Sequence, residues 1–190
     1  MEIRTIVLLV GVTAVLGYAI LIYNGLVSLK HSVRRAWANI DVLLKQRHDE
    51  LPKLVEICKG YMHHEKDTLA RVSAARTAVF AASERGDIAA VGAGENDLRR
   101  GLGQLYAVVE HYPDLKADQQ FRHLRDRITT LENTIADRRE YYNEAVTLNN
   151  IRVETFPDLL LARWFAFRAQ APLEFSAAET QDVDLKALFS

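Results

Sequence analysis

From Ile6 to Ile22 the chain is almost continuously apolar, with no charged residue and no proline. A helix crossing a bilayer needs about 20 such residues, and Ile3 to Tyr23 supplies that length. In lipid only a helix satisfies every backbone N–H and C=O within one segment. Tyr18 and Tyr23 suit the headgroup level, where amphipathic rings collect. The rival reading is a cleaved signal peptide, because Gly17-Tyr18-Ala19 has small residues at a cleavage spacing. Against it, Ile20-Leu21-Ile22 stay apolar past that point, and the leader sets one arginine against Glu2. The expectation is an anchor that stays attached.

Beyond the anchor the apolar positions change to a helical period. Leu26, Leu29, Val33, Ala36, Ile40, Leu43, Leu51, Leu54, Cys58 and Tyr61 recur mostly at threes and fours, and Leu69, Val72 and Val79 follow. This predicts one long amphipathic helix or two collinear ones, with a kink at Pro52 or a restart capped by Asp49. Residues 83–95, rich in glycine, predict the first loop. A helix follows with Leu98, Leu102, Leu105, Val109 and Tyr112 on one face, broken at Pro113. Asp114 or Asp118 is placed to cap the next, whose stripe Phe121, Leu124, Ile128, Leu131, Ile135, Tyr142, Val146 and Val153 runs to about Thr155. Phe156-Pro157 ends it. Leu159 to Phe167 predicts a brief fourth helix holding Trp164, Phe165 and Phe167, a segment suited to touch lipid or a partner. No strand-like alternation and no repeat of solenoid length is present, so the expected class is all-α.

Charge fixes the orientation more than the fold. One arginine, Arg4, precedes the span, and Lys30, Arg34, Arg35 and Lys45 follow it, which places the bulk of the chain in the cytoplasm. With 24 basic and 25 acidic residues, the net charge of −1 argues against a general nucleic-acid binder. Cys58 is the only cysteine, which excludes an internal disulfide and a CxxC site. Four prolines and nine glycines, many at the predicted joints, fit a helical bundle and not a disordered chain.

Several polar residues interrupt the stripes. Arg47, Asp49, Glu65, Arg138, Arg139 and Asn149 form a candidate internal polar network, since buried charges must pair. The bland role for such a network is to fix helix register; the sharper one is a polar cavity. A metal site built on His48, Asp49, Cys58, His64 and Glu65 ranks low, because neighbours along one helix point in different directions. No HExxH, GxSxG or P-loop string occurs, and no Glu-x-x-His pair of the di-iron kind. Catalytic residues, cofactors and metal ligands are therefore expected to be none. Trp37, Tyr106 and Trp164 read as core or interface aromatics.

Three strings carry more than periodicity: Tyr23-Asn24-x-Leu26-Val27, Trp37-x-x-Ile40-Asp41-Val42-x-Leu44-Lys45-x-Arg47-His48-Asp49-x-x-Pro52, and Gly60-Tyr61-x-x-His64-Glu65. With Ala75-Arg76, Tyr112-Pro113-Asp114-Leu115-Lys116-Ala117, Glu132-x-x-Ile135-Ala136-x-Arg138-Arg139-x-Tyr141-Tyr142-Asn143 and Phe156-Pro157, the chain resembles the LemA family. The resemblance runs from about Tyr23 to Phe167. It implies an N-terminal anchor, an antiparallel four-helix bundle, no catalytic motif, and association with a membrane metalloprotease or with internal-membrane organisation in bacteria. The tail departs from the family ending, with Val183, Leu185, Leu188 and Phe189 a loose equivalent. The expected organisation is an anchor over 1–23, a helical bundle over 24–168 and a tail over 169–190. The expected function is that of a single-pass inner-membrane scaffold that self-associates or partners with a membrane protein. Membrane remodelling, with Trp164, Phe165 and Phe167 as a second lipid contact, is the alternative.

Overall fold

The computed structural model describes residues 2–174, so the expectation for Val183, Leu185, Leu188 and Phe189 lies outside the described residues. Among the described residues all regular structure is helical: α1 (Ile3–Tyr61), α2 (Lys66–Glu84), α3 (Ile88–Val109), α4 (Pro113–Ala117), α5 (Gln119–Glu154) and α6 (Asp158–Trp164). They group into two compact units. One contains the residues up to Asn39 with Glu140–Pro172, the other Ile40–Arg139 with Leu173 and Glu174.

In the second unit, the long first stripe is not collinear as expected. The chain leaves α1 after Tyr61 and re-enters helix at Lys66, and α2 runs back along α1, pairing Ser83 with Asp41 (2.7 Å) and Arg76 with His48 (2.7 Å). The sequence clue is the absence of an apolar residue between Tyr61 and Leu69 at the helical spacing, where Glu65 stands instead. Glu65 holds the turn: it accepts a hydrogen bond from the Tyr112 hydroxyl (2.6 Å) and one from the His64 N–H (3.2 Å). Met62, in the same turn, is buried.

Pro52 neither ends nor restarts α1, which continues through it. Proline removes the hydrogen bond to the carbonyl four residues earlier, here that of His48. The Arg76 side chain replaces the missing donor, with Nε 2.8 Å from the His48 carbonyl oxygen. The His48–Pro52 and Ala75-Arg76 strings thus meet as one clasp between α1 and α2. Arg76→Met is expected to destabilise the detergent-solubilised protein by about 1–3 kcal/mol in denaturant unfolding, the usual result of orphaning a polar group. In a Pro52→Ala background the effect should shrink, because an N–H at 52 again reaches that carbonyl. Equal losses in the two backgrounds would contradict the clasp.

The expected loop over 83–95 contracts to a short turn. Gly86 takes φ +66°, a conformation that suits glycine, and Asp87 caps α3 by accepting from Ala90 N–H (3.0 Å). The later glycines are helical, and two of them serve the packing of α2 on α3. Gly94 and Gly101 lie against Val79 and Val72, and a Cβ at 94 would sit 2.9 Å from Val79 Cγ2. Missing side chains let α2 and α3 approach closely and in opposite directions. Asp118 caps α5 through the Phe121 N–H (2.9 Å).

In the first unit, Ile22, Leu26, Val153 and Ala162 form a buried cluster, flanked by Leu161 and Phe167. The chain after α6 is strapped along α5. Asn149 donates to the Arg168 carbonyl (3.2 Å), Asn150 exchanges hydrogen bonds with Gln170 (2.8 and 2.9 Å), and the Tyr142 hydroxyl donates to the Ala171 carbonyl (3.0 Å).

Candidate functional site

The polar centre of the second unit is Arg47. Its side chain is 4% exposed and its guanidinium pairs with Glu95, itself 2% exposed, on α3. Glu132 on α5 is the next carboxylate, with Oε1 buried, without a hydrogen bond and 3.9 Å from Arg47 Nη1. One cation on α1 therefore faces acids from two other helices. A second tie lies one turn along: Glu50 accepts from Lys53 (3.2 Å) and is paired with Arg127 of α5 at 3.1 Å.

Burial raises the pKa of Glu132 above the usual glutamate range, against the opposing pull of Arg47 and Arg99. A carboxyl whose folded pKa is raised binds its proton more tightly in the fold than in the unfolded chain. Its contribution to stability is complete at low pH and declines as pH rises from about 4.3, the ordinary glutamate value. Glu132→Gln is therefore expected to flatten the fall in unfolding free energy just above that pH. A variant with the same slope as the parent would place the shift elsewhere.

The structure distributes the six candidate network residues widely. Arg47 and Asn149 are buried, Glu65 and Arg139 half-buried, and Asp49 and Arg138 exposed. Asp49 follows Arg47 by two positions, about 200° around a helix, and so faces outward. Asn149 binds the strap after α6, and Glu65 the α1–α2 turn, so neither belongs to the Arg47 centre. Glu95, Glu132 and Glu50 supply the acidic partners of these ion pairs; Glu132 enters the sequence only as part of the family string, and neither Glu95 nor Glu50 is marked there. Glu95 lies in the stretch whose glycines predict a loop, although its spacing from Val91 and Leu98 is that of a helix face.

The residues weighed as a metal set are dispersed. His48 stacks on Phe80, with ring centroids 4.1 Å apart, and burial followed by the Arg76 charge lowers its pKa. Cys58 is buried, its thiol pushed up to about 12 by desolvation, while His64 is exposed. Among the described residues no group of three or more His, Cys, Asp or Glu converges.

The aromatic candidates sit in the first unit beside the end of the apolar run. Trp164 is 84% exposed. Phe165 meets Tyr23 edge-on at 4.8 Å. Phe167 is half-buried, 5.9 Å from the Tyr23 ring and with Lys30 Nζ 5.9 Å above it. Trp37 lies 5.6 Å from Tyr142.

An all-helical protein with one long, apolar N-terminal helix and an ion pair buried among its helices is the class these features define. The chain belongs to the LemA family, whose model matches residues 36–186. It is similar to magnetosome proteins MamQ 2 and MamQ 1 of Paramagnetospirillum magneticum, each 25% identical over 199 aligned positions that cover 92% of this chain and 73% of the relative. Magnetosome protein MamQ of Magnetospirillum gryphiswaldense is 22% identical, over 77% of this chain and 62% of the relative.

Proposed function

We propose that the protein is a single-pass, non-enzymatic scaffold. It sits in the bacterial inner membrane with its bulk in the cytoplasm, and self-associates or partners with another membrane protein. One observation carries this reading. Val7, Leu8, Leu9 and Val10 are successive residues of α1, and they are 64%, 69%, 56% and 64% exposed. Four consecutive positions point around the whole helix, so no face of this stretch is covered by the chain itself. A helix apolar on all sides belongs in lipid.

The antiparallel contacts of α1 with α2, α2 with α3, and α1 with α5 in the second unit support a four-helix bundle as the interaction body. The description of the relatives as magnetosome proteins supports a place in an assembly over turnover of a small molecule. The partner is a second copy or a membrane protein, for which the family resemblance supplies a membrane metalloprotease as the candidate. Crosslinking in native membranes should give a ladder of homo-oligomers or one defined hetero-adduct. A chain that stays uncrosslinked and monomeric at every expression level would refute this function. Remodelling by crowded copies is the second reading, favoured by the exposed aromatics around α6.

A further inference from the structure

We propose that α6 is a second foothold on the bilayer, with Leu160 and Trp164, and Phe156 just before the helix, resting in the headgroup region of the leaflet from which α1 emerges. This rests on the reading that Ile3 to Tyr23 spans the membrane. The first argument is position. Tyr23 closes the apolar run, and its ring touches Phe165, the residue directly after Trp164. Ile22 and Leu26 share a buried cluster with Ala162. The contacts fix α6 at the level where the span ends, so a bilayer surface lies within a side chain's reach of Trp164.

The second argument is what faces outward there. Leu160 and Trp164 are one helical turn apart, hence on one side of α6. They are 60% and 84% exposed, and Phe156 is 74% exposed. The chain turns back at Ala166, whose φ of 56° lies in the left-handed region, and this seats Phe167 on Tyr23 while Trp164 stays outside. Of the three aromatics expected to meet lipid, Phe165 and Phe167 thus both rest against Tyr23, while Phe156 and Leu160 join Trp164 in the outward set. Exposed apolar residues on one side of a helix, as Leu160 and Trp164 are, mark a contact surface, and indole rings favour the membrane interface.

Charge supplies the third argument. Arg163 and Arg168 are exposed on either side of Trp164, and Lys30 stands over Phe167, which suits cations to lipid phosphates. A second copy of the chain would have to be recruited to this surface. The bilayer is already beside it.

The test uses the full chain carrying Trp37→Phe, so that Trp164 is the only tryptophan, reconstituted in phosphatidylcholine–phosphatidylglycerol vesicles. Lipids brominated near the headgroup should quench Trp164 more than lipids brominated near the acyl terminus, and acrylamide should quench it weakly. Water-like emission with free access to acrylamide would overturn the proposal. So would emission insensitive to both quenchers together with a disulfide between copies carrying Trp164→Cys and Cys58→Ser, because a second copy would then cover the face. A reference chain with Leu9→Trp, Trp37→Phe and Trp164→Phe separates the two levels. If deep bromines quench the tryptophan at position 9 but no bromine quenches Trp164, the foothold fails and the anchor stands; if the position-9 tryptophan is untouched, the anchor fails and the foothold with it.

Discussion

Arg47→Met is expected to destabilise the protein by about 3–5 kcal/mol, the usual consequence of leaving the partner of a buried ion pair alone. Glu95 is almost fully enclosed and would lose its counter-charge, and Glu132 would lose a cation 3.9 Å away. Denaturant unfolding followed by circular dichroism in detergent reads the change. Adding Glu95→Leu should recover much of the loss, because an apolar pair of similar volume escapes the desolvation penalty that an unpaired carboxylate suffers. A single variant as stable as the parent would show that the guanidinium does not hold α1 to α3. Failure of the double variant to recover would show that the pair also supplies register.

The second large effect is expected at Ile40, which is 0% exposed. Ile40→Asp buries a carboxylate among apolar side chains, a change in the class that exceeds about 4 kcal/mol. Many molecules would be unfolded, seen as a collapse of the melting temperature or as loss of the folded fraction. Val42→Asp is the matched control, since Val42 is two residues on and 54% exposed. It should stay within about 0.5 kcal/mol of the parent. A melting temperature unchanged by Ile40→Asp would place the buried face of α1 elsewhere.

The stripes themselves were legible. Spacing alone turns Ile40, Leu54, Cys58, Leu98, Leu105, Phe121, Ile128 and Ile135 inward, and all are buried. Direction was not legible, because a helical period looks the same whether the next helix continues or doubles back. The turn at Met62–Glu65 has neither proline nor glycine, so only a missing apolar position betrayed it. Glycine misleads in the opposite sense: in residues 83–95 it predicts a loop, yet Gly92 and Gly94 are helical and buried by close packing. Pro52 misled too, because the replacement donor, Arg76, comes from another helix and no local pattern announces it.

The polar centre was half visible. Arg47 stands out as a charge on an apolar face, whereas its acid partners come from two other helices, α3 and α5. Pairing across helices depends on which faces meet, and a single sequence does not state that. The aromatic end of the chain was visible as composition, and the structure sorts it by packing, with Phe167 on Tyr23 and Trp164 outward.

The central claim is that the apolar start of α1 lies in a bilayer. Alkaline carbonate extraction of membranes from cells making the full chain tests it most directly, with a chain lacking residues 3–20 run beside it. The account predicts that the full chain stays in the pelleted membranes while the shortened chain moves to the supernatant. Recovery of the full chain in the supernatant would contradict it.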